Sequence, residues 1–200
     1  MVPRHPGPGG FRRYRTKEVV KTVSVALVTI ATGETYRQYA RSLHHTAALY
    51  FPAAKFVLFS DHDRNPGVDL WFRTQPKGFP DETLYRYHTL LKQANTLRQF
   101  QHIFHLDADM EFVAPVGVIG SYGITATLHP GHLGQTGPVE DRPSSWAYGC
   151  GNLAYYCGGF QGGETGTYLA AAARIAKGVD QDYRNGITAK WHDESHWNRY

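Results

Sequence analysis

The stretch "HIFHLDADMEF", residues 102–112, runs from an apolar segment straight into acids. His102, Ile103, Phe104 and Leu106 suit a buried strand, and Asp107, Asp109 and Glu111 then crowd like charges at its end. Carboxylates this close repel one another at neutral pH unless something offsets them. The stretch therefore asks for a cation, a basic partner or a solvated turn.

The segments around it set the fold class. "VVKTVSVALVTIA" (19–31) is β-branched and apolar, as a buried strand requires. "ETYRQYARSLHHTAALYF" (34–51) spaces Tyr36, Tyr39, Ala40, Leu43 and Ala47 along one helical face. "KFVLFS" (55–60) predicts a second strand. "DETLYRYHTLLKQANTLRQF" (81–100) opens with acids and is apolar at Leu84, Tyr87, Leu91, Ala94 and Leu97, which predicts one helix. Strand, helix, strand, helix, strand is the signature of an α/β domain with a central, mostly parallel sheet flanked by helices. Such sheets bind ligands beyond the carboxyl ends of their strands, and Asp107 and Asp109 fall at such an end. Further on, "GITATLHP" (123–130) predicts a strand, 131–145 a polar loop, "LAYYCGGFQGG" (153–163) a strand entering a glycine turn, and Thr165 to about Lys177 a helix.

Bulk properties narrow the function. Two hundred residues, 42% hydrophobic and 19% charged, suffice for one domain with a true core. Residues 1–18, rich in Pro, Gly and Arg, are expected to form a flexible basic arm, leaving 19–200 as a single domain. A formal charge of +4 suits an anionic ligand such as a phosphate ester but is too weak to argue for nucleic acid. Thirteen tyrosines favour flat, partly polar binding surfaces. Two cysteines, Cys150 and Cys157, are too few for a disulfide scaffold or a four-cysteine zinc site, so free thiols in a reducing compartment are expected. With neither a span-length apolar run nor a signal-peptide core, the chain is expected in the cytoplasm.

Asp107-X-Asp109 after a strand offers two hard oxygen donors, as Mn²⁺ or Mg²⁺ prefers when a diphosphate completes the shell. The tail "WHDESH" (191–196) admits two chemistries. His192 and His196, four apart, would share one helix face, as in zinc-dependent hydrolases, although no third ligand stands at a recognisable distance. Alternatively, Asp193 and Glu194 address a sugar, one positioning hydroxyls and the other facing an oxocarbenium-like centre, with Trp191 as a flat apolar wall.

Seven runs, in order, resemble glycosyltransferase family six, which includes the blood-group A and B transferases, α-1,3-galactosyltransferases and Forssman synthases. They are "TIATG" (29–33), "FSD" (59–61), "LDADMEF" (106–112), "TLHPG" (127–131), "EDRPSSWAY" (140–148), "YYCGGFQGG" (155–163) and "VDQDYRNGITAKWHDESHWNRY" (179–200). The resemblance implies a GT-A fold, a UDP-sugar donor and retaining transfer to the 3-hydroxyl of a galactose-type acceptor. By the same resemblance, Asp107 and Asp109 hold Mn²⁺ and the diphosphate. Ile30 and Ala31 edge the uracil, Tyr36 follows one residue off register, and Arg86 reaches the donor. His129 and Trp191 match acceptor contacts, and Asp193 the donor-sugar carboxylate. Glu194 matches the proposed nucleophile or oxocarbenium stabiliser. Cys157, Gly158 and Gly159 match the stretch that distinguishes donors, where small glycine leaves room for an N-acetyl group and favours UDP-GalNAc over UDP-galactose; Cys157 bears on acceptor shape. Animal members carry a membrane anchor and a basic tail beyond the equivalent of Tyr200. A chain ending there is expected to transfer weakly, to hydrolyse its donor, or to bind nucleotide-sugar without turnover.

Overall fold

The computed structural model describes residues 24–64, 67–117, 119, 123–149 and 154–200. The expected basic arm and Cys150 lie outside the described residues, as do positions 19–23 of the first predicted strand.

β1 (Val25–Ala31) sits inside a six-stranded sheet and explains its own composition. A strand covered on both faces must be apolar at consecutive positions rather than alternate ones. Val25, Leu27 and Ala31 pack to one side with Ala40, Leu43 and Ala47 of α1 (Gly33–Tyr50). Ala26 and Val28 pack to the other with Leu169, Ala172 and Ile175 of α5 (Thr165–Arg184). β2 (Lys55–Ser60) and β4 (His102–Leu106) flank β1 in parallel, and β3 (Leu70–Arg73), a short strand not predicted from sequence, extends the sheet beyond β2. On the far side β6 (Tyr156–Glu164) runs antiparallel to β4, and β5 (Ile124–Leu128) antiparallel to β6, giving the order β3-β2-β1-β4-β6-β5. This is the central, mostly parallel sheet flanked by helices that the sequence predicts.

Register decides where chemistry can gather. Val28 pairs with His105 and Leu106 with Phe160, so the carboxyl ends of β1 and β4 meet the amino end of β6 at one rim. The Asp107 N–H then donates to the Gly159 carbonyl at 2.9 Å, tying the acidic turn to the start of β6.

The single helix predicted over 81–100 is instead three short ones: α2 (Asp81–Leu84), α3 (Arg86–Leu91) and α4 (Ala94–Leu97). The backbone leaves the helical basin at Tyr85 (φ −92°, ψ 12°) and Gln93 (φ −113°, ψ 19°). Arg86 and Tyr87, at the first break, are buried and bonded to Asp107 and Gln161 on other elements, a tertiary demand that overrides helix propensity. α5 runs past the predicted Lys177 because its buried face continues through Gly178, Val179 and Asp182. α6 (His192–Arg199) closes the chain.

Gly178, in the middle of α5, is set by packing rather than by propensity. A Cβ there would lie 2.4 Å from Cδ2 of Trp146, whereas one at Gly166 in the first turn meets nothing within 4 Å. Gly178→Ala is expected to destabilise the fold by about 1–3 kcal/mol through overpacking, despite alanine's helix preference. Gly166→Ala is expected to stabilise it by up to about 1 kcal/mol. Urea unfolding of both variants tests the opposed signs.

Candidate active site

One guanidinium organises the rim. Arg86 opens α3 with its side chain only 7% exposed. Its Nη1 donates to Asp107 Oδ1 and to the Gly158 carbonyl, both at 2.9 Å, and its Nε lies 3.0 Å from Asp193 Oδ2. Its Nη1 is also 3.4 Å from His105 Nδ1. The end of β4, the start of β6 and α6 are thus all joined to one side chain.

The charges follow from that arrangement. Burial alone would make Arg86 easier to deprotonate, but Asp193 and Asp107 outweigh it and raise its pKa, so it stays cationic. Burial and then the Arg86 charge push His105 down to about 3, leaving it neutral. Burial pushes the Asp107 carboxyl up, yet Arg86 and His105 together hold it below the ordinary value. Asp193 goes the other way. Burial raises it to about 6 against the pull of Arg86, since that one cation is shared with Asp107 and Glu194 lies alongside.

Around this cation the cleft has two lobes. The larger, of about 340 Å³, is walled by Ile30, Tyr36, Pro76, Phe79 and Ala108, with Asp107 and Asp109 at one end. Its rim is braced by Glu82, which accepts from Thr32 Oγ1 at 2.9 Å and from the Lys77 N–H at 2.7 Å. The smaller, of about 190 Å³, is bounded by Gly158, Gly159, Trp191, His192, Asp193 and Glu194. Thr83, Arg86 and Asp107 belong to both. Among the described residues lining the lobes, five carboxylates (Glu82, Asp107, Asp109, Asp193, Glu194) face one guanidinium.

Glycine gives the small lobe its closest approach to the carboxylates. A Cβ at Gly158 would stand 3.1 Å from Asp193 Oδ2, and one at Gly159 would stand 3.3 Å from Asp107 Oδ2. The bare backbone also holds a catalytic candidate: the Gly158 N–H donates to Glu194 Oε2 at 2.8 Å. α6 is fixed behind it by Asn198, which accepts from the Tyr156 N–H at 2.8 Å and donates to the Tyr156 and Glu194 carbonyls at 2.7 and 2.9 Å. Ahead of α6, the fully buried Glu140 takes two 2.7 Å bonds from Arg142 and one of 2.8 Å from the Lys190 N–H, next to Trp191.

The structure brings Ile30, Tyr36, Arg86, Asp107, Asp109, Gly158, Gly159, Trp191, Asp193 and Glu194 to this cleft. It leaves three sequence candidates off its lining. Ala31 alternates to the other side of β1 and is buried in the core beside α1. The His129 ring packs against His132 and Tyr155, its Nδ1 accepting from the Gly131 N–H at 3.1 Å. Cys157, a half-buried free thiol, precedes the glycine floor. Glu111 accepts from Ser42 on α1, on the exposed surface. Thr83, Phe79 and His105 were missed from sequence, and of these only His105, a polar residue inside an apolar strand, carried a signal.

The zinc pairing of His192 with His196 is overturned. His196 is fully buried, with Nε2 3.0 Å from Asp182 Oδ2 and Nδ1 2.9 Å from the His192 carbonyl, so neither nitrogen is free for a metal. His192, at φ 47°, instead sets its ring edge-on to Phe79 at 4.7 Å. Among the described residues, no group of three or more His, Cys, Asp or Glu could hold a metal ion unaided.

Residues 79–200 match the sequence model of the family described as Glycosyltransferase family 6. Histo-blood group ABO system transferase 1 of Rattus norvegicus is 38% identical over 113 residues, 52% of this chain and 32% of that protein. Globoside alpha-1,3-N-acetylgalactosaminyltransferase 1 of Homo sapiens is 26% identical over 197 residues, 89% of this chain and 56% of that protein. O-antigen biosynthesis glycosyltransferase WbnI of Escherichia coli is 26% identical over 186 residues, 86% and 79%. The chain thus spans from 32% to 56% of the length of these two mammalian relatives. No helix among the described residues is long and apolar enough to cross a membrane.

Asp193 provides a pH test. The folded chain holds its proton to about pH 6, whereas an ordinary aspartate releases it near 3.8, so ionisation costs folded-state stability as pH rises between those values. Asp193→Asn has no such charge to bury. Its resistance to urea relative to the wild type is expected to be greater at about pH 8 than at about pH 4. Equal differences at both pH values would show that the Asp193 carboxylate is buried without cost.

Proposed function

Since the chain belongs to glycosyltransferase family 6, we propose that it is a retaining α-1,3-glycosyltransferase that moves GalNAc, in preference to galactose, from a UDP-sugar to the 3-hydroxyl of a galactose-type acceptor. Its sheet is the GT-A type. The observation that carries the reading is the two-lobed cleft in which Asp107 and Asp193, each beside a second carboxylate, share one buried guanidinium.

Each lobe suits one part of such a donor. The larger has the apolar walls a nucleobase needs, Ile30, Tyr36 and Phe79, and ends at Asp107 and Asp109. The smaller, polar and floored by glycine, suits a sugar ring, with Trp191 as a flat wall. In this reading Asp193, on the wall of the small lobe, accepts from a donor-sugar hydroxyl. Glu194, one oxygen of which accepts from the Gly158 N–H, would in this reading face the anomeric carbon as nucleophile or as stabiliser of the oxocarbenium centre. The absence of side chains at Gly158 and Gly159 supports the N-acetylated donor. The names of relatives that transfer N-acetylgalactosamine support it too.

A divalent ion suits the residues present. Asp107 commits Oδ1 to Arg86 and turns Oδ2 toward Gly159, while Asp109 is exposed beside it, so two hard oxygen donors remain for Mn²⁺ or Mg²⁺. A diphosphate entering among five carboxylates also needs positive charge beyond that of Arg86. When bound, the ion would neutralise charge on the departing diphosphate.

A panel of UDP-sugars with Mn²⁺ and β-galactosides, fucosylated ones included, tests the reading. UDP-GalNAc is expected to outcompete UDP-galactose, and EDTA to abolish transfer; full turnover in EDTA would remove the metal. Glu194→Gln is expected to lower turnover by about 100-fold or more while calorimetry still shows UDP binding. Undiminished transfer by that variant would take Glu194 out of the mechanism.

A further inference from the structure

The small lobe rests on two consecutive glycines at the start of β6. Glycine has more backbone freedom than any other residue, so such a segment keeps one geometry only if its peptide groups are tied from outside. On Gly158 those ties are complete. Its N–H donates to Glu194 Oε2, and its carbonyl accepts from Arg86 Nη1 at 2.9 Å and from Gln161 Nε2 at 3.0 Å. Gln161 is fully buried and lines neither lobe. Its Oε1 accepts from the Tyr87 hydroxyl at 3.0 Å, and the Gly158 carbonyl, which can only accept, fixes the NH₂ end of the amide toward itself.

We propose that Gln161 is a positioning residue for the reaction: through the Gly158 carbonyl it holds the glycine floor in the one geometry that aims Glu194 and seats Arg86. This rests on the transferase reading above. Tyr87 acts one bond further back by anchoring the far end of the amide. Replacing a buried hydrogen-bonded pair by apolar groups of the same shape costs little stability. A phenylalanine and methionine pair would therefore fill this part of the core. What it would not supply is the donor to Gly158.

The test uses Gln161→Met and the double variant Tyr87→Phe/Gln161→Met, which leaves no buried hydroxyl without a partner. Hydrogen exchange at the Gly158 amide, followed by NMR, reads the floor itself. Steady-state kinetics with UDP-GalNAc read the consequence. Exchange at Gly158 is expected to quicken about tenfold or more in both variants, with amides of β1 and β4 unchanged. kcat is expected to fall about tenfold to a hundredfold, with donor KM held within about twofold, as a misaimed group rather than a lost binding contact requires. Unchanged Gly158 exchange in the double variant overturns the proposal, and so does faster exchange with unchanged kcat. If the wild-type chain transfers no sugar at all, the transferase reading fails by itself, and the exchange measurement still decides whether Gln161 holds the glycine segment.

Discussion

The ion pairs of Arg86 are the constraint on which the rest of the molecule turns. A guanidinium withdrawn this far from water is tolerable only with anionic partners in hydrogen-bond reach, and removing one member of such a pair is far costlier than never burying it. Arg86 meets that condition with Asp107 from the end of β4 and Asp193 from α6, and adds the Gly158 carbonyl from β6. Three segments far apart in sequence are thereby referred to one atom group. The break in the helical run at Tyr85 belongs to the same constraint, since Arg86 and Tyr87 answer to partners outside the helix.

The local electrostatics run opposite to the global. The chain carries a formal +4, yet its cleft is lined by five carboxylates and one cation. A cleft of that composition accepts an anionic nucleotide only with added positive charge. Two negative groups with opposite tendencies share the guanidinium: Asp107 is held ionised while Asp193 is pushed up toward neutrality. Environments that split like residues in this way are common where groups divide tasks.

Much of this was legible in the residues. β1, β2 and β4 announce themselves as apolar runs because both faces of each are covered, and strand order puts Asp107 and Asp109 at the rim. Glu194 and Asp193 were reached by resemblance, as was Arg86. Pattern could not separate Ile30 from Ala31, since both are apolar and only the pleat decides which faces the cleft. Nor could it exclude His196 as a metal ligand, because its tie to Asp182 spans fourteen residues and depends on how α5 and α6 pack. Gln161 was invisible for a similar reason. Its bond to Gly158 lies within β6, but Tyr87 reaches it from α3, far away in sequence.

The buried Asp182 binds the molecule in a further way. Near the end of α5, it accepts from Ser145 Oγ at 2.7 Å and from the Trp146 N–H at 2.6 Å, and meets His196 of α6 on the same oxygen as the serine. Helix, loop and terminal helix are therefore joined through one carboxylate. The helix bearing Asp193 and Glu194 cannot fray alone without leaving a carboxylate in the core short of a partner. Its rigidity is inherited from the hydrophobic layer beneath.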